Sequence, residues 1–143
     1  MTLDNEPSPI AHTKHGDLRL DQIAEMQPGM ARLMVEISDR YWILYYAAQA
    51  GNWELARHEF GEVRKTMQVA AQVRPKYREP LEQFEAEYLR PLNEALHTGD
   101  WHGFDGAYRR AIDGANENHR ESGYAYIEWQ LPNTPPSHLR LAK

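Results

Sequence analysis

Four stretches of the chain carry apolar residues at three- and four-residue steps, the pattern of one buried helix face. In the first, Met30, Met34, Ile37, Tyr41, Leu44 and Ala48 form the stripe, and Met26 extends it toward the N-terminus. This predicts a helix from Leu20 or Asp21 to about Ala50. Pro28-Gly29 should kink or restart it, because proline disfavours the helical region in the residue before it. In the second, Trp53, Ala56, Phe60, Val63, Met67 and Ala70 repeat as a bundle seam up to about Val73. The third begins near Pro80 and places Leu81, Phe84, Tyr88, Leu92 and Ala95 inward, with Pro91 expected to kink it. The fourth is expected from Asp100 to Trp129, with Phe104, Tyr108, Ala111, Ala115, His119, Ser122 and Tyr126 on one face.

Two corners share one logic. In Gly51-Asn52-Trp53 the glycine can close a helix in the left-handed conformation and the asparagine can cap the next. Gly99-Asp100-Trp101 repeats this, a weak internal repeat of two helical hairpins. The remaining connection, Arg74 to Glu79, is a loop between Pro75 and Pro80. The fold class expected is all-α, an antiparallel up-down-up-down four-helix bundle with extended N- and C-terminal tails. Residues 1–17 read as a flexible arm, 18–130 as the bundle and 131–143 as a proline-containing tail.

Composition narrows the chemistry. A length of 143 residues suits one domain. A net charge of −5, with only short basic clusters, argues against a nucleic-acid groove. No apolar run approaches the roughly 20 residues of a membrane span. The first residues lack the apolar core of a signal peptide, so the expected compartment is the cytoplasm, or the periplasm if the chain is a trimmed piece. Cysteine is absent, which removes disulfides, thiolate zinc sites, iron–sulfur clusters and c-type haem together. No Ser–His–Asp order, phosphate loop or catalytic carboxylate pair stands out, so a non-enzymatic protein is expected.

The chemistry that remains centres on His119. It shares a face with Phe104 and Tyr108, and its neighbours Ala107, Ala111, Gly114, Ala115 and Gly123 are small. Glycine inside a helix costs about 1 kcal/mol against alanine, so a neighbouring helix or a flat ligand should come close there. His119 lies about 27 Å down its helix from Trp101. The same distance back from the first corner falls between Met30 and Met34, which would therefore face the histidine.

Ala115-Asn116-Glu117-Asn118-His119, followed by Gly123 and Tyr126-Ile127, resembles the last helix of the cytochrome c′-like four-helix-bundle family. That helix carries Cys-Asn-x-Cys-His, then Gly and Phe-Ile. Gly51 to Ala56, with Glu59 and Glu62, resembles the family's second helix, and Met34 its first; the likeness covers roughly 26 to 132. It implies that His119 stands at the axial position, while Ala115 and Asn118 replace the two attaching cysteines. It therefore implies a bundle without covalent haem. Haem held noncovalently, or another small ligand, would serve electron transfer or sensing. Met34 or Met30 would lie opposite His119, and Arg74 and Arg78 would pair with propionates.

The rival expectation is a ligand-free structural or protein-interaction module, in which Asn118 merely hydrogen-bonds His119. A third is a metal protein. Copper suits His119 with Met34 and Met30. Glu94 and His97 have di-iron spacing, but only one such pair exists, and Glu59 and Glu62 read as salt-bridging residues. The expected partners are a small molecule or a redox protein, with a homodimer as a candidate assembly.

Overall fold

The computed structural model describes residues 9–142. They are mostly helical, as expected, with one small addition. The expected flexible arm is a hairpin where it is described: β1 (Ile10–Thr13) pairs antiparallel with β2 (Gly16–Arg19). Residues 1–8 of that arm lie outside the described residues. The Thr13 hydroxyl donates to the Gly16 carbonyl at 2.7 Å and accepts from the His15 amide at 3.1 Å, closing the turn. His12 bonds Asp17 across the hairpin at 2.8 Å.

The first predicted helix is two. α1 (Leu20–Glu25) stops short of Pro28, and α2 (Met30–Gln49) starts afresh with Gly29 as its N-cap. Arg74 holds the break from outside, its guanidinium donating to the carbonyls of Gln27 at 3.0 Å and Val73 at 2.8 Å.

Both glycine corners form as read. Gly51 and Gly99 take φ of +77° and +66°. The Asn52 side chain accepts from the Leu55 amide at the head of α3 (Trp53–Val73), and Asp100 accepts from the His102 amide at the head of α6 (Trp101–Glu121). Between α3 and α6 the chain makes a 3-10 turn (Pro75–Tyr77), α4 (Arg78–Phe84), a π-helical turn (Glu85–Leu89) and α5 (Arg90–Thr98). Pro91 has no amide hydrogen to return to the previous turn. The register slips by one residue just before it, with the Arg90 amide bonding the Glu85 carbonyl. A π-turn thus takes the place of the simple kink.

In two packed pairs, α2 with α6 and α3 with the α4–α5 arm, partner numbers fall as residue numbers rise. Tyr41 meets Tyr108 and Tyr45 meets Asp105 between α2 and α6. Arg57 reaches the Leu96 carbonyl and Arg64 pairs with Glu85 between α3 and the α4–α5 arm. The core is aliphatic and aromatic together: Leu44, Val63, Leu89, Leu92, Leu96, Phe104 and Tyr108 are fully buried.

The fourth helix ends eight residues earlier than its apolar period suggests, at Glu121 rather than Trp129. Gly123 takes φ +86°, and the Tyr124 amide bonds the His119 carbonyl at 2.7 Å while the Gly123 amide bonds that of Arg120 at 3.2 Å. This is a Schellman stop, and it turns the chain back. Tyr126, placed by periodicity on the buried face, is 80% exposed. The returning segment lies along α2. The Trp129 indole donates to the Ser38 hydroxyl, Tyr46 donates to the Pro132 carbonyl, Trp42 to that of Thr134, and Asn52 to that of Leu141. Among the described residues no helix is long and apolar enough to cross a membrane.

Candidate functional site

A cavity of about 1110 Å³ opens between α2, α3, α4, α6 and the returning segment. Met30 and Met34 line it from α2, and Ala115, Asn118 and His119 from α6. The structure therefore gathers five of the seven candidate residues around one space. Aromatic side chains supply much of the rest of the wall, among them Tyr41, Trp42, Phe84 and Trp129.

Arg74 and Arg78 do not line it. The guanidinium of Arg74 is turned to the Gln27 and Val73 carbonyls, and Arg78 is exposed on α4. Arg74 instead secures the break before α2.

His119 is half-buried, and its Nδ1 lies 3.0 Å from the Ile127 carbonyl oxygen. A carbonyl can only accept, so Nδ1 carries the proton in this bond, and in the neutral ring Nε2 then holds the lone pair. The bond comes from Ile127, not from Asn118 as one expectation had it. Ile127 reaches the ring only because Gly123 reverses the chain four residues after the histidine.

The small residues of α6 divide between two roles. A Cβ on Gly114 would lie 2.4 Å from the Tyr88 ring, so that glycine admits a neighbouring helix. Ala111 and Ala115 face the cavity. Gly123 lies beyond the helix and serves the turn.

Asn116 was read only as a residue shared with a family motif, yet it holds the returning segment that lines one side of the cavity. Its side chain accepts from the Trp129 amide and donates to the Trp129 carbonyl, each at 2.8 Å. Trp129 in turn packs edge-on against Tyr41 and Tyr108. The sequence signal for this was weak: an asparagine about two helical turns before a C-terminal glycine, and a tryptophan in a proline-rich tail.

Burial pushes the hydroxyls of Tyr41 and Tyr108 well above the usual tyrosine range. Tyr77 and Tyr124 also line the cavity. The interaction between their hydroxyls draws Tyr77 down and raises Tyr124.

The other metal expectations find no cluster. Among the described residues no group of three or more His, Asp or Glu gathers. Glu59 is buried and pairs with Arg40 at 3.1 Å, and Glu62 pairs with Lys65 at 2.9 Å, the salt-bridging roles read from sequence. Glu94 and His97 are both exposed on α5. No family model, no curated protein and no solved structure matches the chain.

Proposed function

We propose that the protein is an up-down-up-down four-helix bundle, cytochrome c′-like without covalent attachment, that binds a flat apolar ligand beside His119, with noncovalent haem as the leading occupant. The four helices of this reading are α2, α3, the α4–α5 arm and α6. One observation carries the ligand reading: a half-buried imidazole, held by the Ile127 carbonyl through Nδ1, lines a cavity of about 1110 Å³. Small-molecule sites span roughly 300–1,000 Å³, so the space is ample for a large flat ring system.

The residues present fit such a group. A histidine whose Nδ1–H is bonded to a carbonyl presents its other nitrogen as a fixed ligand. Met34 and Met30, soft and adaptable, line the same space from α2. Ala115 stands where a thioether would otherwise take up room. Haem bound here would supply an iron for electron transfer or gas binding. The protein's own part is to fix the imidazole and to surround the ring with apolar side chains.

Hemin added to the purified protein is expected to develop a sharp Soret band. His119→Ala should abolish the shift, and Met34→Ala should alter the spin state while retaining binding. A featureless titration, or one that His119→Ala leaves unchanged, removes haem from this cavity.

A further inference from the structure

The charges around the cavity are one-sided. Among the described residues its lining includes Asp39 and Glu128 and no lysine or arginine. Basic residues do approach the region, and each is engaged elsewhere or outside the wall. Arg74 bonds the Gln27 and Val73 carbonyls, and Arg120 bonds Glu117 while also feeling Glu128. Lys76 sits over the outer ring of Tyr77, 4.9 Å from its centroid, as an exposed residue.

We propose that this cavity takes flat apolar ligands that are uncharged or cationic, and turns away ligands that carry an anionic group into it. An anion drawn into the cavity would leave water without meeting a cation, and it would approach Asp39 and Glu128. Leaving water without a counter-ion is unfavourable, and the two exposed carboxylates add like-charge repulsion. A cation gains on both counts, from the two carboxylates and from the aromatic lining that includes Trp42 and Trp129. The neutral His119 ring, with Nδ1–H on the Ile127 carbonyl, adds an acceptor nitrogen. Any carboxylates of a large ring ligand would then point out through the mouth to water.

The inference rests on the ligand-binding reading of the cavity but not on haem. Two probes share one ring system and differ in a sulfonate: neutral N-phenyl-1-naphthylamine and anionic 8-anilino-1-naphthalenesulfonate. The neutral probe is expected to bind roughly tenfold tighter or more. Asp39→Asn/Glu128→Gln should narrow that gap by strengthening the anionic probe and leaving the neutral one unchanged. Both positions are exposed, so the variant should keep the wild-type circular dichroism spectrum. Added salt should narrow the gap in the same sense. Equal or tighter binding of the anionic probe, a gap the double variant does not change, or no binding of either probe overturns the proposal. If the probes bind in the expected order while hemin gives no Soret band, the haem reading falls and this one stands. A Soret band with the probe order reversed does the opposite.

Discussion

Tyr41 and Tyr108 lie face to face across α2 and α6, their rings 3.9 Å apart and 6° from parallel, and each hydroxyl donates to the other residue's backbone carbonyl. The pair is reciprocal: the two bonds measure 2.8 and 2.6 Å, and the partners sit 67 positions apart in the chain. It ties the first long helix to the last, and Tyr41 of the pair lines the cavity. Two buried hydroxyls thereby escape the cost of an unmade hydrogen bond, about 1–3 kcal/mol each.

The pair predicts an alkaline limit to stability. Burial raises both hydroxyls well above their unfolded value near 10. Above about pH 10 the unfolded chain releases these protons and the folded one keeps them. Their contribution is therefore complete below that pH and is lost as pH rises toward the folded values. Ultraviolet titration of phenolate should show two tyrosines ionising only together with loss of helical circular dichroism. Tyr41→Phe should move that transition to higher pH while costing about 0.5–1.5 kcal/mol at neutral pH. A transition unmoved by Tyr41→Phe would show that this pair does not set the limit.

Gly114→Ala tests the close approach to Tyr88. Helix propensity alone favours alanine by about 1 kcal/mol. The new Cβ would lie 2.4 Å from the Tyr88 ring, and overpacking of that kind costs roughly 1–3 kcal/mol. The clash should win, and denaturant unfolding should report net destabilisation. In a Tyr88→Ala background the same change should become neutral or stabilising, because the obstacle is gone.

Local chemistry was legible in the sequence, and chain reversal was not. Gly51-Asn52 and Gly99-Asp100 could be read because a left-handed glycine and an Asx cap need only adjacent residues. The level-matching of His119 with Met30 and Met34 needed only helix length, and those residues do line one cavity. The end of α6 was missed because Ser122 and Tyr126 continue the helical period past the true stop. The Gly123 stop depends on two backbone bonds that periodicity does not report. Pro91 announced a perturbation, but its form depended on how the arm packs against α3 and α6. The hairpin at 10–19 escaped because its stabilising Thr13 hydroxyl acts across the turn rather than along an apolar pattern.

Asn116→Ala should loosen the returning segment more than the helices. Two hydrogen bonds to the Trp129 backbone vanish, leaving its amide and carbonyl to find water or distort. The expected cost is about 1–3 kcal/mol. Hydrogen exchange should rise in 124–132 well before it rises in α3 or α5. Uniform loss of protection across the molecule would mean that the segment and the helices unfold as one unit.

The last prediction concerns how a glycine outside the cavity sets the histidine inside it. Gly123 has φ +86°, and a Cβ built there meets nothing within 4 Å. Gly123→Ala is therefore resisted by backbone conformation alone, at about 1–2 kcal/mol. Part of that strain can be relieved by moving the turn, and the turn carries the Ile127 carbonyl that holds His119 Nδ1. Nitrogen NMR of the wild type at neutral pH should show the tautomer with Nδ1 protonated and Nε2 bare. In Gly123→Ala the two tautomers should approach an ordinary mixture, and hemin affinity should fall with them. Gly61→Ala is the control, since that glycine lies within α3 without a positive φ and also meets nothing within 4 Å. It should stabilise the protein by up to about 1 kcal/mol and leave the imidazole unchanged. A wild-type imidazole protonated mainly on Nε2 would contradict the bond to Ile127 and take with it the lone pair on which metal ligation here depends.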